Sequence, residues 1–401
     1  MYRNLDRDWV SHSNEYAKKR YQWIQEHNLS DINMEFIGPE TVFGSLGNHS
    51  TIEGLINSNN YNLRPKKDIT LLLPNHLKLR NQKLFNYFKP YLNVVRNQKI
   101  INSLKNLENY LSIPMGFLIP FKNKSVFHQF LSPLVEQKQL SSSGIKPTFT
   151  LSEEDKKRGK EVLKKMGIEK DWHVTLHVRE PGYHGGETES FRNSDPNNYI
   201  KSIKLITDKG GWVFRMGDPS MKKMPKIDKL VDYAHSEFKS DFMDVYLAAT
   251  SKFCIGTSSG YYTVPSFFGV PILLTNVAGL SQCYNLKSKN IFIPRLIKNK
   301  YKNEYLSLKQ LLSHPLIYFN SDELFKRDGL ITEENNSDDI ADATIEMIDN
   351  LFKNQKNQTD ILQKKFTDIA EKNIYDLTND KIPSFANIGK KLINKYQKYL
   401  I

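Results

Sequence analysis

Cysteine is scarce: Cys254 and Cys283 are the two thiols in a chain of 401 residues. Two thiols cannot build the disulfide framework of a small secreted scaffold, so the count predicts a reducing compartment. Cys254 lies in the apolar run Phe253-Cys254-Ile255 and reads as a small buried hydrophobe. Long apolar runs are missing as well. Ile69-Thr70-Leu71-Leu72-Leu73 falls far below the ~20 residues of a membrane span and has the length of a strand. Met1-Tyr2-Arg3-Asn4-Leu5-Asp6 carries no apolar stretch of the signal-peptide type. These features predict a soluble cytoplasmic protein. There is no repeat at solenoid spacing, no zinc-finger or RNA-recognition signature and no dense basic arm, so nucleic acid is not an expected partner.

What is present is a globular composition, 39% hydrophobic and 25% charged, in a chain long enough for two domains. The formal net charge of +13 suits anionic partners such as phosphates or a membrane surface, and equally suits lysine-rich solvated faces.

Periodicity divides the chain into an N-terminal α/β domain over 1–150, a second α/β domain over 151–335 and C-terminal helices over 336–401. Residues 10–27 read as a polar helix and Met34–Ile37 as a strand. A glycine loop, Gly44-Ser45-Leu46-Gly47-Asn48-His49, follows, and Ser50 is placed to cap the next helix. Strands are predicted at 69–73 and, more weakly, at 92–95; residues 100–145 have no readable pattern. Ser152-Glu153-Glu154-Asp155 has a capping-box pattern and Gly167 ends that helix. Strand, loop and helix then alternate: a strand at 173–176, Asp195-Pro196 opening a helix, strands at 212–214, 230–233 and 252–255, and a last clear strand at 271–274. Such alternation implies a parallel sheet wound by right-handed crossovers. Beyond residue 300 the pattern is mostly helical, with Ile340, Thr344, Met347, Ile348 and Leu351 on one face, and Phe366 with Ile369, then Ile388, Leu392 and Ile393, marking two more helices.

Four loops carry the candidate chemistry: His177-Val178-Arg179, Phe191-Arg192-Asn193-Ser194-Asp195, Arg215-Met216-Gly217-Asp218-Pro219 and Gly256-Thr257-Ser258-Ser259-Gly260. Gly256-Thr257-Ser258-Ser259-Gly260, between a strand and a helix, can aim backbone amides and hydroxyls at one anion such as a diphosphate. The alternative is an ordinary βα turn with capping serines. Its spacing is neither a P-loop nor a dinucleotide fingerprint. His177-Val178-Arg179 puts His177 and Arg179 on one side of a strand end, where an arginine holds phosphate in a bidentate way. The polar loop from Glu180 to Glu189 carries three acids and His184, so it can hold a general base or be a plain surface loop. Arg192 and Arg215 offer further phosphate contacts, or salt bridges to Asp195 and Asp218. Asp195 reads foremost as a helix cap.

The set His177-x-Arg179, Arg215-Met-Gly-Asp218-Pro, Tyr233-Ala-His235-Ser and Asp244-Val-Tyr-Leu with Gly256-Thr257-Ser258-Ser259-Gly260 resembles a bacterial glycosyltransferase family of surface-polysaccharide gene clusters. Leu151-Ser-Glu-Glu-Asp-Lys-Lys-Arg-Gly, Ile291-Phe-Ile-Pro-Arg and Asn336-Ser-Asp-Asp-Ile extend the likeness over about residues 150–350. More distantly, this half is similar to α1,6-fucosyltransferases and NodZ-type enzymes, which carry a His-Val-Arg strand exit and an acid ten residues beyond the His; Glu187 has that offset from His177. The resemblance implies that Arg179 grips the β-phosphate, that Asp244 with Ser258-Ser259 holds the nucleotide, and that the acid deprotonates the acceptor. Glu180-Pro181 stands where those enzymes have a second Arg and a Thr, and the Asp-to-Ser spacing is one residue shorter; these departures bear on GDP-fucose itself as the donor and leave a GDP-fucose-like nucleotide sugar within the expected class.

The expectation is therefore an α/β protein of GT-B-like layout, two Rossmann-type domains with C-terminal helices packing back across them. Its activity would be inverting, metal-independent glycosyl transfer from a nucleoside-diphosphate sugar to a glycan or lipid-linked acceptor, with peripheral inner-membrane attachment. The expected donor-site residues are His177, Arg179, Arg192, Arg215, Asp218, His235, Asp244, Thr257, Ser258, Ser259 and Gly260. Glu187 is the preferred base, with Asp195 and His184 as competitors, and Gly47, Asn48 and His49 lie on the acceptor side. No cofactor and no metal are expected, because Asp6-Arg7-Asp8 is the chain's one Asp-x-Asp and lies in a polar stretch. The rival expectations are a sugar-nucleotide epimerase on the same architecture and a non-catalytic nucleotide- or glycan-binding protein.

Overall fold

The computed structural model describes residues 19, 22–28, 33–111, 118–121, 124–127, 131–142, 144–169, 172–181, 190–313, 316–319, 321–352, 361–378 and 386–400, and every structural statement concerns these. The chain forms two compact units, Met1–Thr148 with Ile374–Ile382 and Phe149–Asn373 with Pro383–Ile401.

In the first unit β1 (Met34–Ile37), β2 (Asp68–Leu72) and β3 (Leu92–Val95) make a parallel sheet in the order β1-β2-β3. Every residue of β2 after Asp68 is buried, as expected of a central strand covered on both faces. Phe36 and Leu72 pack against Ile24, Val95, Ile101 and Leu104. Glu35 is buried on β1 and takes a bidentate pair from Arg64, with Nη1 donating to Oε2 at 2.8 Å. After β1 and the short helix Glu40–Phe43, a longer helix runs His49–Asn60 and does not start at a Ser50 cap. Asn48 holds the cap position, and the Ser50 hydroxyl, already inside the first turn, donates back to the Gly47 carbonyl at 2.6 Å. The stretch without readable pattern holds most of the helix Gln98–Leu111, the antiparallel hairpin of β4 (Leu118–Phe121) and β5 (Lys124–Phe127), and the helix Leu131–Ser142.

The second unit opens on the helix Glu153–Lys165, where the Ser152 hydroxyl accepts from the Asp155 amide at 3.1 Å and Gly167 turns out at φ +80°. Then come β6 (His173–His177), β7 (Trp212–Arg215), β8 (Leu230–Val231), β9 (Cys254–Gly256), β10 (Ile272–Val277) and β11 (Ile291–Pro294). They are followed by β12 (Leu296–Asn299), β13 (Glu304–Tyr305), β14 (Leu330–Glu333) and β15 (Asn387–Ile388). A seven-stranded parallel sheet has the order β15-β11-β10-β9-β6-β7-β8, and β13-β12-β14 form a small antiparallel sheet. The α/β class is the one the alternation predicts. The region beyond residue 300 is less helical than its pattern suggests, since β13, β14 and β15 lie there. Ile388 is no helix residue; with Asn387 it edges the large sheet against β11. Two-residue strands have no period to read and exist only through their partners. The helix Ser337–Phe352 does bury Ile340, Thr344, Met347 and Ile348, and Thr344 bonds Ser202 of the helix Ile200–Thr207 at 3.0 Å.

Candidate functional site

The large sheet places the site. From β6 the chain winds outward to β7 and β8, then returns to the other side of β6 as β9 and continues to β10 and β11. The connections leaving β6 and β9 therefore diverge and leave a crevice at the carboxyl ends of these neighbouring strands, the switch point at which open α/β sheets bind ligands. The register sets His177 beside Gly256, so the loops His177–Arg179 and Gly256–Gly260 leave the sheet side by side.

They are tied together. The Thr257 amide donates to the His177 carbonyl at 3.2 Å, and the Arg179 amide donates to the Thr257 hydroxyl at 3.0 Å. Ser259 Oγ and His177 Nδ1 are 3.0 Å apart, and the His177 ring stacks on Tyr261 with centroids 5.2 Å apart. Burial, and after it the Arg215 charge, bring the His177 imidazole down to about 3, so it is neutral. The Ser259 amide, expected to face an anion, donates instead to the Thr257 carbonyl at 2.6 Å. The turn has closed on itself, so that amide is not offered to a ligand. Ser258 keeps a different donor, a buried hydroxyl with no partner. Arg192 reaches the same turn: its Nε donates to the Ser258 carbonyl at 2.5 Å.

The next segment closes the crevice on the β10 and β11 side. Arg179 donates through Nη1 to Asn193 Oδ1, and its carbonyl accepts from the Ser194 amide at 2.9 Å. Arg295, directly after β11, is 3% exposed and donates through Nη2 to the Asn193 carbonyl. Glu334 lies 3.9 Å from Arg295 and accepts from Ser194 Oγ at 2.9 Å and the Asp195 amide at 3.1 Å. Asn276 exchanges two 2.7 Å bonds with Asn335 and donates to Ser194 and Tyr199. Asp195 itself is exposed and caps the turn Pro196–Tyr199 by accepting from the Asn197 amide at 2.9 Å.

On the β7 and β8 side, Arg215 departs from expectation. It is fully buried, paired with Glu180 and, at 3.1 Å, with Asp232, and it donates to the Lys222 carbonyl at 3.0 Å. No surface is left for a phosphate, and the pair also removes Glu180 from the three loop acids considered as bases. Removing one partner of such a pair strands the other charge. Asp218 accepts from the Ser220 amide at 2.9 Å; burial pushes its carboxyl up, but the Ser220 bonds and the Lys239 charge outweigh it and hold it low. Asp244 is 3.1 Å from Lys239; burial raises its carboxyl against that lysine. His235 Nε2 donates to the Met221 carbonyl at 2.9 Å.

His177, Arg179, Arg192, Thr257, Ser258, Ser259 and Gly260 are thus gathered at one crevice. Gly47, Asn48 and His49 belong to the first unit, where His49 is wholly buried and lowered by that burial to about 4. His184 and Glu187 lie outside the described residues. Sequence reasoning passed over Asn193, Arg295, Glu334 and Asn276. Arg295 carried a signal, since an arginine one residue past the apolar run Ile291-Phe292-Ile293 resembles the placing of Arg179 at a strand exit. Asn193 had none. Among the described residues, no group of three or more His, Cys, Asp or Glu is placed to hold a metal ion.

No family model matches the chain, and no curated protein does. Among solved structures, the glycosyl transferase family 9 from Veillonella parvula DSM 2008 is similar over 61% of this chain and 80% of its own, at 11% identity and a TM-score of 0.36. The bacterial iron-containing dodecameric glycosyltransferase TibC from enterotoxigenic E. coli H10407 is similar over 63% of this chain and 59% of its own, at 10% identity and a TM-score of 0.35.

Proposed function

We propose that this protein is an inverting, metal-independent glycosyltransferase of the GT-B kind. It would move a sugar from a nucleoside diphosphate to a glycan or lipid-linked acceptor of bacterial surface-polysaccharide synthesis, at the cytoplasmic face of the inner membrane. One juxtaposition supports this reading: Arg179, Arg192 and the Ser258-Ser259 turn share the crevice where the strand order reverses. A guanidinium at such a crevice suits a diphosphate.

In the proposed reaction the acceptor oxygen attacks the anomeric carbon as the bond from that carbon to the diphosphate oxygen breaks. Arg179 meets the charge that grows on the leaving diphosphate. The acceptor proton passes to a carboxylate, assigned to Glu187. The acceptor is assigned to the first unit, at Gly47 and Asn48; His49, wholly buried there, supports that loop from within.

A thermal-shift screen against nucleotides and nucleotide sugars identifies the donor, since a ligand of the native state raises the midpoint. Arg179→Ala is expected to weaken nucleoside-diphosphate binding about ten- to hundredfold, the worth of a charge-assisted contact, with the fold intact. Glu187→Gln is expected to lower turnover by about 10²–10⁴ while sparing donor affinity, and Asp195→Asn to leave turnover near wild type. Wild-type binding in the Arg179 variant would refute the donor site. Turnover lost only in the Asp195 variant would transfer the base to Asp195. Donor converted to an isomeric sugar nucleotide without acceptor would make the protein an epimerase.

A further inference from the structure

We infer that the first unit carries a second glycan site, a pocket at the amino ends of β2 and β3 that takes a neutral, hydroxyl-rich sugar residue of a longer chain. The pocket stands on its own geometry. The role given to it, holding the far part of an acceptor glycan, rests on the glycosyltransferase reading.

The cavity measures about 280 Å³ and lies between the end of the helix His49–Asn60, the loop before β2 and the turn before β3. Its floor is apolar, with Ile56 and Ile69 both buried. Its rim is polar: Asn60, Lys66, Asp68 and Asn93 are exposed, and Tyr91 beside them is 44% exposed. The walls are fixed before any ligand arrives. Asn59 Nδ2 donates to the Lys67 carbonyl at 2.7 Å, and Asn59 Oδ1 accepts from the Lys67 amide at 3.3 Å. The Asp68 amide donates to the Asn33 carbonyl at 2.8 Å. Pro90 lies inside the turn Lys89–Tyr91, and pairing of β2 with β3 sets Ile69 beside Leu92 and Thr70 beside Asn93. A backbone held in this way loses little freedom when a ligand binds.

The rim offers both hydrogen-bonding roles. Lys66 only donates, the Asp68 carboxylate only accepts, and the amides of Asn60 and Asn93 do both. A sugar hydroxyl also donates and accepts, so a ring of hydroxyls can use all four groups. The C–H face of the same ring suits an apolar floor and an aromatic wall, which Ile69 and Tyr91 supply. A phosphate fits less well, since it needs donors alone and would meet the Asp68 carboxylate in the same rim. Lys66 and Lys67 stand beside that one carboxylate, so an acidic sugar is the competing ligand, and Asp68 is what disfavours it. An apolar ligand would leave the rim groups unpaired. The volume falls just below the ~300–1,000 Å³ of small-ligand sites, which suits a sugar residue or two and not a whole nucleotide sugar.

The placing gives the pocket its role. Gly47 and Asn48 follow the carboxyl end of β1, whereas Asp68 and Leu92 are the first residues of β2 and β3, so the pocket lies at the other edge of the parallel sheet. The helix His49–Asn60 starts directly after Asn48 and ends with Asn60 at the rim, and its 12 residues set the two places about 18 Å apart. A single sugar cannot touch both. A chain of several residues can, with its end at the loop and its body in the pocket. A second foothold of that kind raises the local concentration of the chain end. The pocket therefore favours an oligomeric acceptor over a monosaccharide.

Fluorine NMR of the full chain labelled with fluorotyrosine tests the site, with the Tyr91 signal assigned by its loss in Tyr91→Phe. The probes are maltotriose, mannotriose, chitotriose and a rhamnose trisaccharide, with trigalacturonate, inorganic phosphate and UDP as anionic counterparts. A saturable shift of the Tyr91 signal is expected with at least one neutral trisaccharide. Asp68→Ala and Asn93→Ala, both at exposed positions, are each expected to weaken that binding about three- to tenfold, the worth of one hydrogen bond, with thermal midpoints unchanged. A Tyr91 signal that no neutral trisaccharide moves overturns the inference. So does a response confined to trigalacturonate, phosphate or UDP, which marks an anion site, and so does binding that neither variant weakens, which puts the sugar elsewhere. The two readings fail separately. A protein that binds a trisaccharide at Tyr91 but no nucleoside diphosphate keeps the pocket and loses the glycosyltransferase reading; one that binds UDP or GDP while Tyr91 stays silent loses the pocket alone.

Discussion

Three histidines are held inside the protein as neutral groups. Burial lowers His49 and His173 to about 4, and burial with Arg215 nearby lowers His177 to about 3. In the unfolded chain each protonates near the ordinary 6.5. Between that value and about 4 the unfolded chain binds more protons than the native one, so stability is present above pH 6.5 and is lost as the pH falls through this window. Each such histidine contributes a slope of up to ~1.4 kcal/mol per pH unit. The urea midpoint is expected to drop between about pH 7 and pH 5, above the range where most carboxylates titrate. His173→Gln, which can still donate to the Leu247 carbonyl, should reduce that drop. A midpoint unchanged across this range would mean that the histidines are not held neutral.

The helix Glu153–Lys165 shows what an element conceals until it is packed. Its start and stop are written in Ser152 and Gly167, and its Lys- and Glu-rich composition reads as a solvated helix. Gly159 inside it looks like a weak point, since glycine costs a helix interior about 1 kcal/mol relative to alanine. In the structure an alanine Cβ at Gly159 would lie 2.1 Å from the ring of Tyr246, a buried residue of the helix Asp241–Thr250. The glycine is where two helices approach closely. Gly159→Ala is therefore expected to lower stability by about 1–3 kcal/mol, the usual cost of overpacking, against the sign that helix propensity alone predicts. Denaturant unfolding measures it, and a variant more stable than wild type would show that the contact is looser than the structure has it.

For the whole molecule the net charge of +13 acts at longer range. Among the described residues no helix is long and apolar enough to cross a membrane. If the protein works on a lipid-linked acceptor, its hold on the bilayer is expected to be largely electrostatic. Sedimentation with phosphatidylglycerol vesicles should fall steeply between about 0.05 and 0.5 M salt, as the Debye length shrinks from over ten ångströms to a few. Uncharged phosphatidylcholine vesicles should retain little protein at any salt. A protein left in the supernatant with anionic vesicles at low salt would point to a soluble acceptor.

Local order was legible in the sequence because its causes are local. Buried runs, capping residues and terminal glycines placed β6, β7 and β9, the helix after Ser152 and the turn capped by Asp195. The same signals put His177-Val178-Arg179 and Gly256–Gly260 at strand exits. Residues 100–145 and the short strands β13 to β15 stayed hidden, since their patterns are too brief or irregular to show a period. Only the tertiary structure decided which exits meet. Strand order put β6 beside β9, joining two loops almost eighty residues apart, with Arg179 and Thr257 separated by 78 positions. It also gave two similar arginines opposite fates. Arg215 found Glu180, 35 positions away, and was sealed inside, while Arg179 found Asn193, which Arg295 fixes from 102 positions away. A guanidinium after an apolar run announces a strand end. Which partners it meets there depends on chain returning from elsewhere, and no local periodicity encodes that return.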